Sequence, residues 1–243
     1  MKQLSGAIHD LASEVVSVLR DGDHRSVAGA GAVRGDEAVL RVAAVRALGA
    51  DVLLPTTLLR RPPEEPVLAL VREAMRTYPP GPDASSATVW SHWAMERTVL
   101  RLTSTDGVPD RGGRRPTGAP PTAQPDVSDL ESAPWQRLTH QLAVLGALAV
   151  PEADSAVAEV ARRRSLDVSR GFVRAVRRRD WFQAAGAGRW LAAVRGAPGT
   201  LGLDTGLDFV LHMGGADPRV ALHTHAARWM RATDPGGGEG APS

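Results

Sequence analysis

Ser132–Ala149, SAPWQRLTHQLAVLGALA, is the stretch that decides the fold class. Pro134 suits the entry to a helix, where its missing N–H leaves no bond unmade. Behind it Trp135, Leu138, Leu142, Leu145 and Ala149 recur at spacings of 3, 4, 3 and 4, the period of one helical face. Ala143, Val144, Ala147 and Leu148 make the remaining positions largely apolar too, so the segment reads as the buried central helix of a bundle.

The same periodicity extends outward on both sides. Downstream, Pro151-Glu152 opens a helix to about Arg164, and residues 167–179 form another. Asp180, with Gln183 three positions on, caps a third that Gly196 ends. Residues 205–213 read as a short helix or a strand, and Asp217-Pro218 opens a last helix to about Ala232. Upstream, Ser5 is placed to cap a helix running to Arg20 with Ile8, Leu11 and Val15 on one face. Further helices are expected from Asp36 to Gly49, from Pro66 to Tyr78 and from Ser86 to Thr103.

No strand-like alternation persists, so the expected fold is all-α. It is an irregular multi-helix bundle of about ten helices, in two groups joined by a Pro/Gly-rich linker. The division is an N-terminal helical region over 1–104, a linker or mobile loop over 105–130, a C-terminal bundle over 131–233 and a disordered tail over 234–243.

Composition excludes several classes of function. The 243 residues contain no cysteine, which removes disulfides, thiolate metal sites and thiol catalysis. The N-terminus has no basic stretch leading into an apolar core, and the longest apolar run, Leu142–Val150, is too short to span a bilayer. A cytoplasmic protein without membrane attachment is the expectation. Lys2 is the one lysine among 29 basic side chains, so the basic isoelectric point is an arginine effect on a chain of net charge +2. Residues 1–105 balance at 12 basic and 12 acidic side chains, whereas residues 131–233 carry 14 and 9. An anionic partner would meet the second half.

The candidate surface there is EVARRRSLDVSRGFVRAVRRR, residues 159–179. On a helical wheel Arg170, Arg174, Arg177 and Arg178 share a face, with Val168, Phe172, Ala175 and Val176 opposite. With Arg163 they form a candidate nucleic-acid or anion-binding set, since guanidinium forks suit phosphate and guanine edges. Ala161, followed by Ser165-Leu166-Asp167 and Ser169, resembles the helix-turn-helix of bacterial transcription regulators over about twenty residues. The resemblance implies a recognition helix starting at Ser169; Ser165 stands where those families have a turn glycine, and Gly171 where they have a packing aliphatic. The alternative is a solvated arginine face on a core-packed helix.

Other signals point to other chemistries. Val27–Gly35, VAGAGAVRG, superficially resembles a dinucleotide-binding turn, but Arg34 occupies the third glycine position and Asp21–Ser26 is too polar for the preceding strand. Histidines are scattered at 9, 24, 92, 140, 212, 223 and 225. His223 and His225 would share a face only on a strand, and Asp217-Pro218 argues for a helix there. Asp208, His212 and Asp217 are possible oxygen and nitrogen ligands, though no metal or cofactor is expected. Glu152, Asp154 and Glu159 are candidate general acids or bases, or residues that complement a helix dipole. Trp181, Trp190 and His212 are the candidate lining of a ligand pocket, with close helix contact through Gly186 and Gly188 as the alternative. Arg34-Gly35-Asp36 matches a cell-adhesion tripeptide.

No catalytic set emerges. The leading expectation is a helical interaction or regulatory protein with a protein partner or a second copy of itself. A nucleic-acid-binding regulator is the alternative, followed by an enzyme with a pocket between helices that uses His and carboxylate groups.

Overall fold

A computed structural model describes residues 2–21, 35–103, 123–151 and 154–233, and these are all helix and connection, with no strand. The N-terminal group contains α1 (Lys2–Asp21), α2 (Asp36–Leu48), α3 (Leu54–Leu59), α4 (Glu65–Thr77) and α5 (Ser86–Thr103). A 3-10 turn, Gly49–Leu53, joins α2 to α3. α1 begins before Ser5, because Leu4 extends the stripe of Ile8, Leu11 and Val15 toward the core. Gly49 ends α2 at φ 67, the left-handed geometry that glycine adopts without strain. Val52–Leu54, downstream of the glycine-rich stretch, is helical, and residues 22–34 of that stretch and its approach lie outside the described residues.

After residues 104–122, also outside the described residues, the chain forms α6 (Ser128–Ser132) and α7 (Trp135–Val144). α8 (Ala156–Arg163), α9 (Ser165–Arg177), α10 (Trp181–Ala193), α11 (Leu203–Gly214) and α12 (Pro218–Ala232) follow. Ser155 and Asp180 cap α8 and α10 with their side chains, and Asp217 caps α12 just ahead of Pro218. The segment that invited either a helix or a strand is the helix α11.

The central helix is α10, not the one expected over Trp135–Ala149. α7 stops at Val144, which is 50% exposed, and the chain tightens into a 3-10 turn over Gly146–Leu148. Gly146 there lies close against the ring of His223, where a Cβ would come within 2.6 Å of Cε1. The Leu142 carbonyl, near the end of α7, accepts a hydrogen bond from Trp190 Nε1 at 2.6 Å. α10 instead is buried from Ala184 to Ala192 and packs on α7, α9, α11 and α12. Its small residues permit this: a Cβ on Gly186 would sit 2.7 Å from Ala143 Cα.

The two sequence groups meet along α1 and α12 and across the 3-10 turn at Gly49–Leu53. The stretch Asp36–Leu59 is long and apolar enough to cross a membrane, with an 18-residue window of mean hydropathy 1.5, yet 56% of that window is buried inside the protein. It also carries Asp51, whose carboxylate is held by an arginine from α10.

Candidate functional site: a cavity above a buried ionic network

Arg189 lies in the middle of α10 and has no exposed surface. A guanidinium in a core loses its hydration, at a cost of several kcal/mol, unless its donors are answered. Nη1 and Nη2 donate to the two carboxylate oxygens of Asp51 at 3.0 and 2.8 Å. Nε donates to the Ala149 carbonyl at 2.9 Å, at the end of the turn that terminates the α7 segment. Nη1 also donates to Nδ1 of His223, on α12, at 3.0 Å. One side chain thus joins the α2–α3 turn, the end of the α7 segment and α12.

Arginine can only donate, so His223 Nδ1 must accept, and the proton of the neutral ring lies on Nε2. Burial, and then the adjacent Arg189 charge, push His223 down to about 4, against the opposing pull of Asp51. The ring is therefore neutral at physiological pH. An unfolded chain binds this proton near pH 6.5 and the folded one does not, so stability is lost as pH falls from about 6.5 to about 4. The largest slope is about 1.4 kcal/mol per pH unit. His223→Asn keeps an acceptor for Arg189 and removes the titration. Urea unfolding of that variant should show a shallower pH dependence than the parent between pH 6.5 and 4; parallel curves would contradict the assignment.

A cavity of about 240 Å³ lies above this network. Asp51, His223, Ser91, Phe182 and Arg219 supply its polar and aromatic lining, and Ile8, Leu48, Leu148 and Leu222 much of its apolar wall. The Phe182 and His223 rings meet edge to face at 5.4 Å, and the Arg219 guanidinium lies over Phe182 at 5.2 Å. Arg219 is held at the rim by Asp217, through Nε at 3.3 Å and Nη2 at 2.9 Å. Burial and the hydrogen bond from Arg189 thus fix a histidine whose remaining nitrogen, Nε2, makes none among the described residues.

The residues singled out in the sequence lie mostly elsewhere. Trp181, Trp190 and His212 do not line a common pocket. Trp190 is fully buried against α7, Trp181 packs edge to face on Phe209 at 5.9 Å, and His212 is exposed on α11. Among the described residues no three His, Asp or Glu side chains group as a metal site. Asp208 pairs with Arg228 at 3.4 Å, and Asp217 with Arg219. Asp154 pairs with Arg97 at 2.9 Å and Glu159 with Arg162, while Glu152 and Arg34 lie outside the described residues.

The arginine face is exposed at Arg163, Arg170, Arg174, Arg177 and Arg178, but part of its charge is spent. Arg163 pairs with Glu131, Arg170 pairs with Asp167 at 3.2 Å, and Arg174 lies over the Trp135 ring at 5.6 Å. Arg164 alone separates α8 from α9, so Ser165-Leu166-Asp167 is the first turn of α9 rather than a linking turn. Arg164 itself is occupied with Asp167 and with carbonyls at the end of α6. Gly171 is where α9 meets α7, since a Cβ there would fall 2.2 Å from Thr139. No family model, curated protein or solved structure matches this chain.

The Asp51–Arg189–His223 network was missed from sequence because its members are 138 and 34 residues apart. One signal was available. Arg189 is the only charged residue in WFQAAGAGRWLAA, and a lone cation in an apolar helix needs a buried partner.

Proposed function

We propose that this is a non-catalytic helical regulatory protein whose state is set by a small molecule in the cavity above Arg189. The observation that carries this reading is the division of hydrogen-bonding capacity at the cavity floor. Asp51 and His223 Nδ1 are committed to Arg189, while His223 Nε2–H is left to donate. A general base needs a free lone pair and a pKa near the working pH. His223 has neither, so an enzyme built on His and carboxylate groups is the weaker reading.

A pocket with a few polar groups held in place under apolar walls suits recognition. The lining draws on α1, α5, α10 and α12, so an occupant would tie the two sequence groups together and stabilise the folded state in proportion to its occupancy. A protein partner or second copy would then read that state. The test is a thermal-shift screen of fragment-sized compounds against the full chain and against Ala147→Phe, which fills the cavity. Compounds that raise Tm in the parent and not in the variant support the reading. Equal shifts in both would refute it.

Nucleic-acid binding remains the second reading, favoured by the exposure of Arg174, Arg177 and Arg178. Three phosphate contacts give a salt slope of roughly −2.7, or about a 40-fold loss of affinity between 50 and 200 mM salt. We expect any duplex-DNA binding to be confined to low salt and abolished by neutralising these three residues. Salt-resistant binding, measured by fluorescence anisotropy, would favour DNA as the true partner.

A further inference from the structure

We infer that the cavity takes a small monocarboxylate with an apolar body, an inference that rests on reading the cavity as a binding site. The argument is the balance of unspent donors and spent acceptors around it. His223 Nε2–H is one free donor. Ser91 is a second: its Oγ accepts from Arg46 Nη1 at 3.4 Å, which leaves the hydroxyl proton to give. Arg219 is a third, since Nε and Nη2 hold Asp217 and Nη1 makes no hydrogen bond among the described residues. The one acidic residue in the lining, Asp51, has both oxygens engaged by Arg189.

Charge points the same way. The Asp51–Arg189 and Asp217–Arg219 pairs each cancel. Arg46 does not. It lies half-buried behind Ser91 and bonds only neutral acceptors, the Tyr78 and Thr88 carbonyls and Ser91 Oγ, with no ion pair among the described residues. An ammonium ligand would meet the Arg219 guanidinium, with Arg46 behind Ser91, and the lining's side-chain acceptors, Asp51 and Ser91 Oγ, already accept from arginines. An alcohol would answer few of the donors. A carboxylate has acceptor sites for several donors at once, and charge-assisted bonds of that kind are the strong ones. The volume, about 240 Å³, lies just below the 300–1,000 Å³ of drug-sized sites, which limits the apolar body to a short chain or one ring.

Isothermal titration of the full chain with hexanoate, hexylamine and 1-hexanol tests this, alongside Ser91→Ala, Arg219→Gln and Ala147→Phe, each first checked for the parent's helical circular dichroism. Hexanoate should bind at least about tenfold tighter than either analogue, the weight of one charge-assisted bond. Ser91→Ala and Arg219→Gln should each weaken hexanoate several-fold, and Ala147→Phe should abolish binding. Equal binding of hexylamine or hexanol, lost in Ala147→Phe, would overturn the carboxylate assignment and leave the cavity reading standing. Hexanoate binding unchanged in Ser91→Ala and Arg219→Gln would overturn the assignment as well. No heat from any probe, or binding indifferent to Ala147→Phe, would overturn both.

Discussion

Replacing Arg189 with methionine should lower the free energy of unfolding by about 3–5 kcal/mol, the cost of stranding one partner of a buried ion pair. Methionine keeps much of the volume, so the loss is electrostatic rather than a cavity. It leaves the Asp51 carboxylate, 5% exposed, with no cation, and frees both the Ala149 carbonyl and His223 Nδ1. The charge can then be relieved only by proton uptake or by opening the contact between the α2–α3 turn and α10. Asp51→Asn alone should cost less, because an amide oxygen still accepts from Arg189 and only one guanidinium charge is left over. The double variant Asp51→Asn, Arg189→Met should recover part of the loss of Arg189→Met, since no buried charge remains. Urea unfolding of the four proteins measures the coupling. Additive losses would mean that Asp51 and Arg189 do not act as a pair.

Gly186→Ala should destabilise the protein by about 2 kcal/mol, reversing the usual gain from this exchange inside a helix. Alanine is ordinarily the better helix former by about 1 kcal/mol. At Gly186, however, the added methyl would lie 2.7 Å from Ala143 Cα and 3.1 Å from the Ala143 carbonyl oxygen. These are backbone atoms that no rotamer change can move, so α7 and α10 must separate, and overpacking of this kind costs about 1–3 kcal/mol. Gly6→Ala in α1 provides the contrast, because nothing lies within 4 Å of its would-be Cβ. That variant should gain up to about 1 kcal/mol. Thermal unfolding compares the two; a stabilised Gly186→Ala would show that the helices are not in contact there.

The all-α fold was legible because helical periodicity and its punctuation are local properties. Gly49 ends α2 through its positive φ and Asp180 caps α10 with its side chain, while α2 and α5 begin at Asp36 and Ser86 as the local pattern predicts. The centre of the bundle was not legible in the same way. The stripe over Trp135–Ala149 continues without a break, yet the chain turns after Val144, where His223, from the far end of the sequence, occupies the space beside Gly146. α10 carries a charged residue, Arg189, in its middle. That arginine belongs in the core only once Asp51, Ala149 and His223 are brought to it.

The candidate site was hidden for the same reason. His223 stood among seven histidines, set apart only by His225 two residues on, with nothing local to tie it to Arg189. The arginine face, by contrast, was plain in a helical wheel, and its residues are exposed, yet Glu131 and Asp167 consume part of the charge that made it conspicuous. Glu131 lies in α6, an element too short to announce itself by periodicity.

The central claim is that Arg189 fixes His223 as a neutral ring that donates from Nε2 into the cavity. Imidazole nitrogen-15 NMR of His223, followed from pH 7.5 downward and then with hexanoate at pH 7, tests it most directly. The account predicts a neutral ring protonated at Nε2, no titration until about pH 4, and an Nε2 resonance that moves when hexanoate is added. A ring protonated at Nδ1, or one that titrates near pH 6.5, would contradict it.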